Sequence, residues 1–107
     1  MLGLYTKEDG AKLVQLARQS IEEEFTKVNP EIPKEKQFRQ ARGVFVTLYK
    51  KGKLRGCIGF PLPIMPVVEA FYKAAKSAAF SDPRFKQLKQ EELKDSEAPN
   101  HSKLWGF

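Results

Sequence analysis

The apolar positions of this chain fall into two helical stripes separated by one strongly β-prone block. Leu13, Val14, Ala17, Ile21 and Phe25 recur at three- and four-residue intervals, while Lys12, Arg18, Glu22 and Glu23 take the opposite side. Thr6 and Asp9 stand just ahead of the stripe, at the spacing where a hydroxyl and a carboxylate cap the first free helical amides. Asn29-Pro30 ends it, because the residue before a proline is pushed out of the helical region. The pattern predicts a helix over about residues 7–28. Glu31 to Gln40 carries a second proline and several charges, and reads as a surface connection.

Val44-Phe45-Val46-Thr47-Leu48-Tyr49 is β-branched or aromatic at nearly every position, the composition of a strand. Lys50-Lys51-Gly52 supplies a turn and Lys53 to Gly59 returns, giving a hairpin over about 43–59. Register decides which side chains meet. A three-residue loop with Gly52 left-handed and bulged sets Val44, Val46 and Leu48 on one face with Leu54, Gly56 and Ile58. Arg55 and Cys57 then share the other face with Thr47 and Tyr49. A two-residue loop reverses the parity and places Arg55 against Leu48, so the longer loop is expected.

Pro61, Pro63 and Pro66 stiffen the exit from the hairpin, and Pro66 suits the start of a helix, where its missing amide costs nothing. Val67, Ala70, Phe71, Ala74, Ala75 and Ala78 form the second stripe, a helix over about 66–80 whose alanines permit close approach. Ser81-Asp82-Pro83-Arg84-Phe85 breaks it. Glu91-Glu92-Leu93 is too short to assign, and residues 95–107 lose periodicity. The expected architecture is α+β: an antiparallel sheet with a central hairpin, packed against two main helices. Residues 1–94 form the domain and 95–107 a divergent tail.

Composition narrows the function classes. A chain of 107 residues suffices for one domain, and its hydrophobic share of 41% argues against wholesale disorder. No apolar run approaches a membrane span, and no secretory signal opens the sequence. A single cysteine excludes an internal disulfide and fits a reducing compartment, so the expected location is the cytoplasm. The formal net charge of +6 raises affinity for phosphate-bearing partners, yet the basic residues are scattered without aromatic interleaving. One cysteine and one histidine are too few for a structural zinc site, and no glycine-rich phosphate loop is present. No cofactor is expected.

Leu54-Arg55-Gly56-Cys57-Ile58-Gly59 concentrates the candidate chemistry. Residues two apart on a strand point the same way, and a guanidinium near a thiol favours the thiolate. Gly56 and Gly59 would let a ligand approach the backbone. The alternative is a small buried cysteine between packing glycines. His101, the sole histidine, lies in the tail, so a Cys–His pair is not expected. Asp82 and Arg84 offer a second site, as proton acceptor and anion ligand or as a helix-terminating ion pair. Arg42 and Thr47 add polar groups beside the hairpin.

At these residues the chain resembles the AMME chromosomal-region (AMMECR) domain family. The resemblance rests on Arg42-Gly43-Val44-Phe45-Val46-Thr47-Leu48, then Leu54 to Gly59, then Glu69-Ala70 with the alanine-rich helix. It continues through Asp82-Pro83-Arg84-Phe85 and Glu92-Leu93, and spans about residues 4–94. It implies an α+β domain of unestablished activity, found from archaea to animals, whose functional site is the Arg-Gly-Cys-Ile-Gly segment. Some family members occur beside Memo-like and radical-SAM proteins, which implies modification chemistry, with RNA as one substrate class. In an enzyme version Cys57 is nucleophile or acid/base, Arg55 holds an anion, and Asp82 or Thr47 orients the substrate. Gly56, Gly59, Arg42 and Arg84 complete the binding site. The rivals are a non-catalytic protein-interaction module and a basic RNA-binding domain. Family domains are nearly twice as long, so a half-length or truncated member is expected, with an exposed sheet edge open to homodimerisation.

Overall fold

The protein is described by a computed structural model covering residues 6–95 and 102–106. Helix α1 runs Lys7–Thr26 and begins at the capping box expected from Thr6 and Asp9. The Asp9 amide donates to the Thr6 hydroxyl and the Thr6 amide to the Asp9 carboxylate, each at 3.1 Å. The helix stops two residues short of the expected 28, because Lys27 turns left-handed at φ 61° and its amide closes back on Glu23. The buried stripe also takes in Leu16 and Ser20. The Ser20 hydroxyl satisfies itself on the Leu16 carbonyl at 2.6 Å, so burying it leaves no orphan group. The connection that follows is not wholly superficial: a 3₁₀ turn at Lys36–Arg39 plants Phe38 in the core, fully buried.

Strands β1 (Val44–Lys50) and β2 (Lys53–Phe60) form the antiparallel hairpin. Helix α2 spans Val67–Phe80, with Pro66 just before it. One turn of helix, α3, occupies Glu92–Asp95, and β3 runs Ser102–Gly106. β3 pairs antiparallel with β1, so the sheet has the order β2-β1-β3 and β1 lies at its centre. The α+β architecture is as expected. The tail, expected to be irregular, contributes a strand. Among the described residues no helix is long and apolar enough to cross a membrane.

The hairpin corrects both the expected loop and the expected register, and keeps the expected face parity only from Gly56 onward. Lys50 pairs with Lys53, leaving a two-residue loop in which Lys51 (φ 53°) and Gly52 (φ 79°) are both left-handed. That is the turn whose twist matches paired strands. Its parity would set Arg55 opposite Leu48, but the ladder slips there: Tyr49 pairs with Leu54 and Leu48 with Gly56, so Arg55 is the extra, unpaired residue. The bulge sits in the strand rather than in the loop. Leu54 consequently pairs with Tyr49 and leaves the apolar face, 41% exposed, contrary to the expected alternation.

Val44, Val46 and Leu48 form the buried face of β1, against α2. The alanines of α2 bring its backbone so close that a Cβ on Gly56 would lie 2.1 Å from the Ala78 carbonyl oxygen. Phe45, Thr47 and Tyr49 are half-buried on the alternate face. Phe45 pairs with Gly59 and lays its ring where a Gly59 Cβ would stand.

Candidate functional site

Two carboxylates bracket the segment Arg55–Cys57, and both come from the stretch after α2. The first is Asp82, buried at the outer edge of β2. Its Oδ2 accepts the Cys57 amide at 3.0 Å and Arg84 Nη2 at 2.8 Å. Its Oδ1 accepts the Arg84 amide at 3.0 Å and Arg84 Nε at 3.1 Å. Pro83 presets the turn and the Asp82 side chain closes it, which is why this tetrapeptide can fold back locally. Arg84 Nη2 also reaches the Cys57 carbonyl at 3.4 Å. The Asp82–Arg84 pair therefore presents an acceptor and a donor to the two backbone groups of Cys57, as a neighbouring strand would. The Arg84 guanidinium, followed by the Cys57 amide, holds the Asp82 carboxyl well below the usual carboxylate range.

The second carboxylate is Glu92. Oε1 accepts Arg55 Nε at 2.9 Å and Lys50 Nζ at 3.1 Å; Oε2 accepts Arg55 Nη2 at 3.1 Å and the Lys89 amide at 2.9 Å. Arg55 and Glu92 side chains are each only 14% exposed. The bidentate Arg55 contact, against the opposing cost of burial, pulls the Glu92 carboxyl down to about 2. Each carboxylate carries four hydrogen bonds, filling the roughly four lone-pair positions it has.

Cys57 is half-buried and pairs across the sheet with Thr47, Sγ to Oγ1 at 3.4 Å. With its amide turned outward to Asp82, this is the pair type that brings side chains close. The structure thus joins Cys57, Thr47, Asp82 and Arg84. It directs Arg55 elsewhere: the bulge releases Arg55 from strand parity, and its guanidinium goes to Glu92. Arg55 lines a recess with Lys50, Phe85, Lys86, Lys89 and Glu92. Arg42 lies apart, its Nη2 donating to Gln40 at 2.9 Å. Gly56 and Gly59 are filled over by Ala78 and the Phe45 ring. His101 lies outside the described residues. Among the described residues no cluster of three or more histidine, cysteine or acidic side chains could hold a metal.

Glu92 is the residue that sequence reading missed. Its partner lies 37 positions away, and only its place in the Glu-Leu pair of the family pattern marked it. The shared face of Thr47 and Cys57, by contrast, is as the hairpin pattern predicts, although the expected loop would have set Arg55 opposite Thr47.

The fold and the clamped strand define a class: a small α+β domain built around a glycine-bearing hairpin strand held by two downstream carboxylates. The AMMECR1 family profile matches residues 14–98, and the chain belongs to that family. A protein of Methanothermobacter thermautotrophicus is 50% identical over 93 residues, covering 84% of this chain and 48% of that protein. Protein PYRAB00100 of Pyrococcus abyssi is 50% identical over 95 residues, covering 80% of this chain and 46% of its own length. The crystal structure of uncharacterized protein PH0010 from Pyrococcus horikoshii superimposes with a TM-score of 0.73 at 47% identity, covering 80% of this chain and 46% of that one. The chain spans about half the length of these relatives.

Proposed function

We propose that this chain acts as a binding domain for an anionic ligand, and that its signature strand frames the site instead of supplying a cysteine nucleophile. The observation that carries this reading is the complete use of both carboxylates. Asp82 has no lone pair left to accept a substrate proton, and its lowered pKa makes it a weak base. The guanidinium of Arg55 is matched to Glu92, and that of Arg84 goes first to Asp82 and only secondarily to the Cys57 side chain. Cys57 is held through its backbone, which a structural role requires and a nucleophile does not. The glycines serve packing against Ala78 and Phe45, not ligand approach.

Cationic charge remains in excess beside Arg55. Lys50 and Arg55 face Glu92 two to one, and Lys86 and Lys89 add two exposed ammonium groups against the exposed Glu91. This surplus favours an anion in the recess. Titration with inorganic phosphate, followed by amide NMR shifts, tests the reading. Cys57→Ser should keep the affinity within about twofold, while the double variant Lys86→Glu/Lys89→Glu should lose about tenfold or more. Abolition of binding by Cys57→Ser in a folded protein would return the thiol to the centre of function.

A further inference from the structure

We infer that the recess beside Arg55 is a nucleoside-phosphate site, with the phosphate on the lysines and the base against Phe85. This rests on the anion-binding reading above and adds the class of ligand. The recess is about 480 Å³, within the range of small-molecule pockets. Three kinds of group converge on it. Lys86 and Lys89 supply exposed ammonium groups beside the Glu92-bound Lys50, suited to a phosphate whose oxygens are not fixed in one plane. Phe85 is half-buried and supplies an aromatic wall, already carrying the Arg84 guanidinium 5.4 Å from its centroid. Gln87 supplies an amide that can both donate and accept.

The floor of the recess is rigid. Arg55 and Glu92 lock one another in a bidentate pair, and Glu92 also fixes the Lys89 amide, so the lysine-bearing turn is tied to the strand. Arg55 keeps one further group in reserve: its Nη1 is buried with no hydrogen-bond acceptor. The site thus has a surplus of donors and positive charge over acceptors. A bare anion would use the lysines alone. A ligand that also carries a flat ring would use the whole wall, and base–aromatic stacking is sequence-tolerant and additive to charge.

The test compares four probes on the full chain by amide NMR titration: inorganic phosphate, ribose 5-phosphate, adenosine 5′-monophosphate and adenosine. The inference expects the monophosphate to bind about tenfold tighter than ribose 5-phosphate, with shifts at Phe85 through Lys89 and at Lys50. Phe85→Leu should erase that difference and leave ribose 5-phosphate unchanged, while Lys86→Glu/Lys89→Glu should weaken every phosphate probe. The two exposed lysines make the second variant safe for folding, should Phe85→Leu disturb it. If ribose 5-phosphate and the monophosphate bind equally at this recess, the nucleoside assignment falls and the anion reading stands. If no phosphate probe shifts these amides, both fall.

Discussion

Cys57 and Asp82 are joined through the backbone amide at 3.0 Å, not through the thiol. That relationship orders the reading of the site, because it makes the carboxylate a fixture of the strand edge. The thiol is left facing Thr47.

The two signature glycines should differ in what they tolerate. A Cβ at Gly56 meets the Ala78 carbonyl at 2.1 Å, backbone of a helix that cannot move alone. A Cβ at Gly59 meets the Phe45 ring, which can rotate away. Gly56→Ala should cost about 3 kcal/mol and Gly59→Ala about 1 kcal/mol, read from urea midpoints at constant slope.

Acid stability should track the two clamped carboxylates. Both have folded values below their unfolded ones, so their contribution is complete above about pH 4.5 and drains away as pH falls towards 2. Glu92→Gln should lower stability at neutral pH by on the order of 2 kcal/mol. It should also flatten the loss between those two pH values. Thermal melts across that interval check both effects, and an unchanged pH slope in the variant would contradict the assignment.

Arg55 and Lys are not equivalent at the bulge. Lysine cannot reproduce the two parallel bonds to Glu92, so Arg55→Lys should lose about 2 kcal/mol despite keeping the charge. Chemical denaturation measures it.

The hairpin turn carries a correctable strain. Lys51 sits left-handed at φ 53° ahead of Gly52, and asparagine accepts that conformation more readily. Lys51→Asn should stabilise the chain by about 0.5–1 kcal/mol, visible as a raised Tm.

Much of the frame was legible in the sequence. The two helices, the capping box, the strand pair and the shared face of Thr47 and Cys57 follow from periodicity and local chemistry. The loop and the bulge were assigned to the wrong places, because from Gly56 onward a bulge at Arg55 satisfies the same face pattern as one at Gly52, and only Leu54 distinguishes them. Sequence alternation counts parity and does not locate where parity changes. Phe38 was missed because a single core residue in a polar connection has no period. The division of labour between Arg55 and Arg84 was out of reach for a different reason. Both guanidiniums are near Cys57 along the chain or in the fold, and only tertiary placement of Asp82 and Glu92 decides which carboxylate each one takes.

The cap on the outer edge of β2 also closes that edge at Cys57. With the amide and carbonyl of Cys57 already engaged by the Asp82–Arg84 turn, a strand pairing at Cys57 must first displace the contacts of a buried carboxylate and its exposed guanidinium. A turn of four residues thereby does for one position of the edge what a further strand would do, and does so from within the same chain.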